Sequence, residues 1–170
     1  MIDRRTGNIK LTGSLELSSK SKFQLLENQD LGEVQEVRDT DNGYKWLVIK
    51  NIKIENKYFI ISLCYKEEEL TAVEMVVNDE RFNLSTDWSS WSEQKEGEDL
   101  KKYQNWLEKE LGRKTKFRWG HVSASFDPKG GSSSILIEYK EKTVHNKVNS
   151  ALKVSTIFRA LRSIFEGKRE

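Results

Sequence analysis

The chain has 170 residues, enough for a hydrophobic core of its own, and we expect a single domain over residues 1–170. A charged content of 33% is typical of a soluble protein, while a formal net charge of +2 is too close to balance to predict a polyanionic partner. The single cysteine, Cys64, excludes an intramolecular disulfide. Because the sequence also shows no apolar signal segment and no run of membrane-spanning length, we expect a cytoplasmic protein.

The N-terminal part of the chain predicts a strand followed by a short helix. Apolar residues alternate with polar ones over residues 9–17, which indicates a strand with a bulge at Gly13. The helix is expected to carry Phe23 and to be capped by Ser18 or Ser19.

Four strands are predicted next. A short one carries Val34, and better signals follow at Tyr44–Ile54, Tyr58–Tyr65 and Leu70–Val77. The spacing between them is tight, which favours an antiparallel meander, and the almost wholly apolar Tyr58–Tyr65 is expected at its centre. In the first long strand, one face is expected to hold Trp46, Val48, Ile52 and Ile54.

A long amphipathic helix is predicted to follow. The spacing of Ser90 and Glu93 is that of a capping box. The interior Gly97 costs about 1 kcal/mol relative to alanine, so the stable part of the helix is expected from about Glu98 to Leu111. Its apolar stripe consists of Leu100, Tyr103, Trp106, Leu107 and Leu111.

After this helix the apolar period changes to two, which predicts a β-hairpin. One side of its first strand would hold Phe117, Trp119, His121, Ser123 and Ser125. The run Asp127–Gly131 has the residues of a turn. The returning strand, Ile135–Tyr139, is apolar on both sides, which indicates an interior position in the sheet.

The C-terminal part predicts one closing helix that ends near Phe165. Its apolar stripe consists of Leu152, Phe158, Leu161 and Phe165. From Lys140 to Glu170 there are eight Lys or Arg residues against three Glu. The predicted architecture is therefore α+β: a mostly antiparallel sheet of about six or seven strands, packed against a long central helix and a C-terminal helix on one face.

The strand that carries His121 and Ser123 suggests a nucleophile and its base. Residues two apart on a strand lie about 7 Å apart, which is too far for the direct hydrogen bond that this chemistry needs. A small-ligand or hydrolytic pocket formed by Trp119, His121 and Ser123 is therefore the alternative and not the first hypothesis. With two histidines and one cysteine the chain has no zinc-binding spacing, and no cofactor is predicted.

The tryptophans and the basic residues suggest two kinds of surface. Trp88 and Trp91 lie at the polar start of the predicted helix, and tryptophan is enriched at the centres of protein interfaces, so both are candidate interface residues. The alternative is that these tryptophans pack in the core between the helix and the sheet. The second candidate surface is a basic patch for weak nucleic-acid binding, formed by Lys147, Lys153, Arg159 and Arg162. A protein partner is the preferred prediction, because nothing in the sequence forms a catalytic constellation.

Several short motifs in the second half to two-thirds of the chain are similar to those of a known group. They are Trp88-Ser89-Ser90-Trp91-Ser92-Glu93, Trp106-Leu107, Leu111-Gly112, Trp119-Gly120-His121-Val122, Asp127-Pro128-Lys129 and Ile135-Leu136-Ile137-Glu138-Tyr139. With them the chain resembles small uncharacterised bacterial α+β proteins, some of which are similar to toxin-immunity proteins. The resemblance implies a toxin as the protein partner and provides no catalytic residues.

Overall fold

A computed structural model of the chain describes residues 1–85 and 91–140. Eight strands and two helices follow one another in these residues. They are β1 (Ile9–Thr12), β2 (Leu15–Leu17), α1 (Phe23–Glu27), β3 (Val34–Asp39), β4 (Tyr44–Ile54), β5 (Lys57–Lys66), β6 (Glu69–Asn78), α2 (Glu93–Leu111), β7 (Gly120–Asp127) and β8 (Ser132–Tyr139).

Six of the strands form one antiparallel sheet in the order β3-β4-β5-β6-β8-β7, and β1 pairs with β2 in a separate two-stranded sheet. The α+β class, the six-stranded antiparallel sheet and the long helix are therefore confirmed. The interior position predicted for Ile135–Tyr139 is also confirmed, since β8 lies between β6 and β7. The predicted C-terminal helix lies outside the described residues.

The sheet has two faces, and the larger core lies on the face that we call the first face. Side chains of α1, α2, β1 and β2 pack there against alternate residues of the central strands. Tyr103 of α2 is buried, and the ring of Trp106 meets that of Phe59 edge-on at 5.9 Å. The central row of this face consists of Leu47, Leu63, Val73, Ile137 and Val122, which pair across neighbouring strands. The core therefore joins the N-terminal segment, the sheet and α2.

The prediction for the faces of β4 is wrong beyond Ile49. The strand contains a bulge between Ile49 and Ile52, where Asn51 has a φ of 56°. An extra residue reverses the alternation of side chains, so Ile52 and Ile54 join the first-face core, while Trp46 stays on the opposite face. The side chain of Asn51 fixes the bulge by bonding the main chain of Phe82 in both directions, at 3.0 and 2.9 Å.

Three local predictions near helix ends and turns are also corrected. Gly13 lies in the turn between β1 and β2 and not in a bulge, because the chain reverses there. Neither Ser18 nor Ser19 caps α1, whose N-cap position is Lys22 without a side-chain cap. The long helix is continuous from Glu93, so Gly97 does not delay its start. Packing against the sheet compensates for the low helix propensity of one glycine.

Neither of the two helices in the described part of the chain combines the length and the apolar composition that crossing a bilayer requires.

Candidate functional site

Trp91 stands at the surface immediately before α2. Its side chain is 44% exposed, and its indole Nε1 donates a hydrogen bond to the carbonyl oxygen of Gly131 at 2.7 Å. The indole therefore lies against the β7–β8 turn, with its orientation fixed and much of its surface open to solvent. The other exposed large hydrophobic side chains among the described residues are Leu25, Val34 and Val37.

The start of α2 is attached to the start of β8, which holds Trp91 over the turn. Ser92 caps the helix by accepting a hydrogen bond from the Lys95 amide at 3.2 Å. One turn later, Glu96 accepts a hydrogen bond from the Ser133 amide at 2.7 Å, and the Ser133 hydroxyl donates to the Glu96 carbonyl at 3.0 Å. Burial raises the pKa of Glu96, and the bond from the Ser133 amide opposes that effect.

The β7–β8 turn is itself held by side-chain hydrogen bonds. The two carboxylate oxygens of Asp127 accept from the amides of Lys129 and Gly130, each at 3.0 Å, and the Gly131 amide donates to the Asp127 carbonyl at 2.8 Å. Pro128 and Lys129 project into solvent. We call Trp91 together with residues 127–131 the Trp91 platform.

An open groove of about 480 Å³ lies between the C-terminal half of α2 and the edge strand β7. Its lining includes Leu107 and Leu111 from the helix and Val122, Ser123 and Ala124 from the strand. Arg113 and Glu108 form an ion pair of 2.7 Å among the lining residues. The groove is thus mixed in character, since polar and charged residues line it beside the apolar ones: Gln104, Glu108, Arg113, Lys114, Thr115 and Ser123.

The proposed pocket residues Trp119, His121 and Ser123 occupy three different environments. Trp119 precedes β7, where its indole donates to the Arg4 carbonyl at 3.1 Å and stacks on Phe117 at 4.9 Å. His121 lies with Nδ1 3.4 Å from a carboxylate oxygen of Glu138 on β8. Ser123 lines the groove, whereas neither Trp119 nor His121 does.

The remaining predicted site residues are Trp88 and the basic patch. Trp88 lies outside the described residues, and so does the whole basic patch of Lys147, Lys153, Arg159 and Arg162. Within residues 1–85 and 91–140, no group of three or more His, Cys, Asp or Glu side chains could hold a metal ion.

The sequence suggested Trp91 as an interface residue, which stays a prediction, and gave no sign of the hydrogen bond that orients its indole. The hydrogen bond to Gly131 joins residues 40 positions apart, and no local pattern predicts such a contact. The groove was missed for the same reason, because it depends on α2 lying beside an edge strand. The N-cap of α2 is Ser92, two positions after the Ser90 of the predicted capping box, so the sequence predicted a serine cap but placed it two residues early.

No protein-family model and no curated protein matches the chain. Among solved structures, the chain is similar to a chain from the complex of Rhs1-CT with its cognate immunity protein RhsI1. The two are 14% identical, the TM-score is 0.49, and the match covers 96% of this chain and 95% of the other. A likeness this distant identifies neither a family nor a function for this chain.

Proposed function

We propose that this chain is a protein-binding domain of the immunity type, which inhibits a toxin by covering the surface through which the toxin acts. The observation that carries the proposal is the Trp91 platform: a tryptophan that is exposed yet held in one orientation by its bond to Gly131. Tryptophan is enriched among the residues that dominate binding energy. A side chain that is already ordered loses little conformational entropy when a partner covers it.

The charge of the chain favours contact-driven binding over electrostatic steering. A formal net charge of +2 on 170 residues provides no long-range attraction for a basic partner such as a cationic nuclease. We therefore expect the association rate to change little, by less than about threefold, between low and physiological salt.

The test is co-expression of the full chain with the product of the reading frame next to its own gene, followed by size-exclusion chromatography and titration calorimetry. We expect a one-to-one complex, and Trp91→Ala should weaken it by at least about tenfold, since hot-spot residues contribute 2 kcal/mol or more. Leu25→Ala is the matched control, because Leu25 is 66% exposed on α1 and lies outside the platform.

Two outcomes would contradict the proposal. One is the absence of a complex with a folded neighbouring product. The other is a complex whose dissociation constant is the same for the wild type and for Trp91→Ala.

A second candidate function is small-ligand binding in the groove between α2 and β7, whose volume lies within the range of ligand pockets. A thermal-shift screen with the Ala124→Phe variant separates the two candidates. The phenylalanine ring would fill the groove, so the variant should lose any ligand-induced rise in melting temperature. A complex formed through the Trp91 platform should be unaffected.

A further inference from the structure

The strand β3 forms one edge of the six-stranded sheet, with β4 on its inner side. The Thr40 amide donates to the Tyr44 carbonyl at 3.1 Å, in line with the register of the two strands. Because main-chain groups alternate in direction along a strand, the amides and carbonyls of Gln35, Val37 and Asp39 point away from β4. Within residues 1–85 and 91–140, these outward groups have no main-chain hydrogen-bond partner.

The outer edge of β3 is also more open than the opposite edge of the sheet. Val37 is 53% exposed and Val34 is 38% exposed. The strand contains neither the proline nor the lysine that often protects a sheet edge. At the opposite edge, the Val122 amide of β7 donates to the Thr115 carbonyl at 2.8 Å, so the segment before β7 already bonds that edge. The edge open to a further strand is therefore that of β3.

A second copy of β3 fits this edge in an antiparallel register about a two-fold axis at Val37. Val37 then lies opposite Val37 of the second copy, and Gln35 lies opposite Asp39. These are the residues whose main-chain groups point outward, so the two strands would exchange about six hydrogen bonds. The two valine side chains, which are β-branched, would form a cross-strand apolar pair.

The charges of β3 select this register. With the axis at Val37, Glu36 of each copy lies opposite Arg38 of the other. With the axis one residue earlier, Glu36 would face its own copy, and with the axis one residue later, Arg38 would face its own copy. Like charges directly opposite each other destabilise a strand pair. The charges therefore fix the alignment, while the main-chain bonds and the valine contact provide the affinity.

We propose that two copies of this chain associate through β3, about a two-fold axis at Val37, so that their six-stranded sheets become continuous. Val34 of each copy lies opposite Thr40 of the other, so both exposed valines of β3 gain a neighbour. The strand order places β3 at the other end of the sheet from β7 and β8. Both Trp91 platforms therefore stay open, and each copy can bind one partner. The dimer does not depend on the proposed function.

Sedimentation equilibrium of the full chain tests the dimer, and a monomer–dimer equilibrium is expected between about 1 and 100 μM. Val37→Asp would bring two carboxylates together at the axis, so the dissociation constant of the dimer should rise at least about tenfold. Ser125→Asp, which adds the same charge to an exposed position of the edge strand β7, is the control and should dimerise like the wild type. A wild type that stays monomeric, or a folded Val37→Asp that dimerises equally well, would overturn the proposal.

A charge exchange tests the register. Glu36→Lys and Arg38→Glu each place like charges opposite each other in their own dimers, so each variant alone should dimerise more weakly than the wild type. In an equal mixture, the introduced lysine faces the introduced glutamate, and the native Arg38 faces the native Glu36. The mixed dimer should therefore recover the wild-type dissociation constant to within about threefold. Mixing without any recovery would show that these residues do not face each other.

Disulfide cross-linking remains informative if the charge variants do not fold. Val37→Cys places two thiols together at the axis, so mild oxidation should join the two chains. Val34→Cys is the control, because in this register its two copies lie about 20 Å apart, too far for a disulfide. The native Cys64 is 0% exposed and does not compete. No cross-link through Val37→Cys, or equal cross-linking of both variants, would refute the proposed interface.

Discussion

Glu74 is a carboxylate on the side of the sheet opposite α2, where it pairs with Leu136 of β8, and its replacement by glutamine should make the protein more stable at neutral and alkaline pH. Its Oε2 atom is fully covered and has no hydrogen-bond partner. Burial raises the pKa of Glu74 from 4.5 to about 7, and the hydrogen bond from Ser134 opposes that shift. An isosteric glutamine can still accept the Ser134 bond and carries no charge.

The sign and size of the effect follow from the shifted pKa. The folded state holds the Glu74 proton more tightly than the unfolded state, so the carboxyl causes no penalty when it is protonated in both, below about pH 4.5. The free energy of unfolding then decreases as the pH rises to about 7, and above that the full penalty applies. A shift of this size corresponds to about 3 kcal/mol.

Urea denaturation followed by tryptophan fluorescence at pH 4.5, 6 and 8 measures this penalty. Glu74→Gln should match the wild type at pH 4.5 and exceed it by about 3 kcal/mol at pH 8. Glu16→Gln, which changes an exposed carboxylate on β2, is the control and should leave the pH dependence unchanged. Parallel pH profiles for Glu74→Gln and the wild type, or a less stable variant at pH 8, would refute the reasoning.

Three further predictions concern stability and can be measured by the same urea titration. Gly97→Ala should stabilise the protein by about 0.5–1 kcal/mol, since Gly97 lies within α2 with open space around its missing side chain, and a loss would contradict the helical assignment. Gly7→Ala should destabilise the protein by more than Gly13→Ala does. Both glycines have positive φ, but only at Gly7 would the new methyl group clash with the Trp119 ring. Equal losses of stability would show that the Trp119 ring can move out of the way. Tyr65→Phe should be neutral or slightly stabilising, since the buried Tyr65 hydroxyl has no hydrogen-bond partner. Tyr139→Phe should cost about 1 kcal/mol of stability, because the Tyr139 hydroxyl donates to the Gly7 carbonyl at 3.0 Å. A larger loss for Tyr65→Phe than for Tyr139→Phe would show that these hydrogen-bond partners are assigned wrongly.

The sequence predicted correctly those parts of the fold that local residue patterns determine. The apolar run of β5 and the two-sided apolar pattern of β8 placed both strands in the sheet interior, because such runs must be covered on both faces. The stripe that includes Tyr103 predicted which side of α2 faces the core. The turn residues between β7 and β8 predicted the hairpin.

The parts that were missed depend on single residues or on distant contacts. The segment containing Asn51 reads as a continuous strand, and nothing in one sequence marks the asparagine that reverses the alternation of β4. The candidate site depends on contacts between distant residues. Trp91 was proposed from its residue type alone, and its orientation depends on Gly131. The separation of Trp119 from His121 required knowing that β7 begins at Gly120.

The insertion of β8 between β6 and β7 has a consequence for how the chain folds. The strands from β3 to β6 follow one another through short turns, and so do β7 and β8, so each group can assemble from nearby residues. The seam between the groups pairs Ala72 with Glu138 and Met75 with Ile135, which are 66 and 60 positions apart, across only four registered positions. Closing so large a loop has a high entropic cost, which slows the pairing of β6 with β8. This seam should therefore be the last part of the sheet to form and the first to separate under mechanical force.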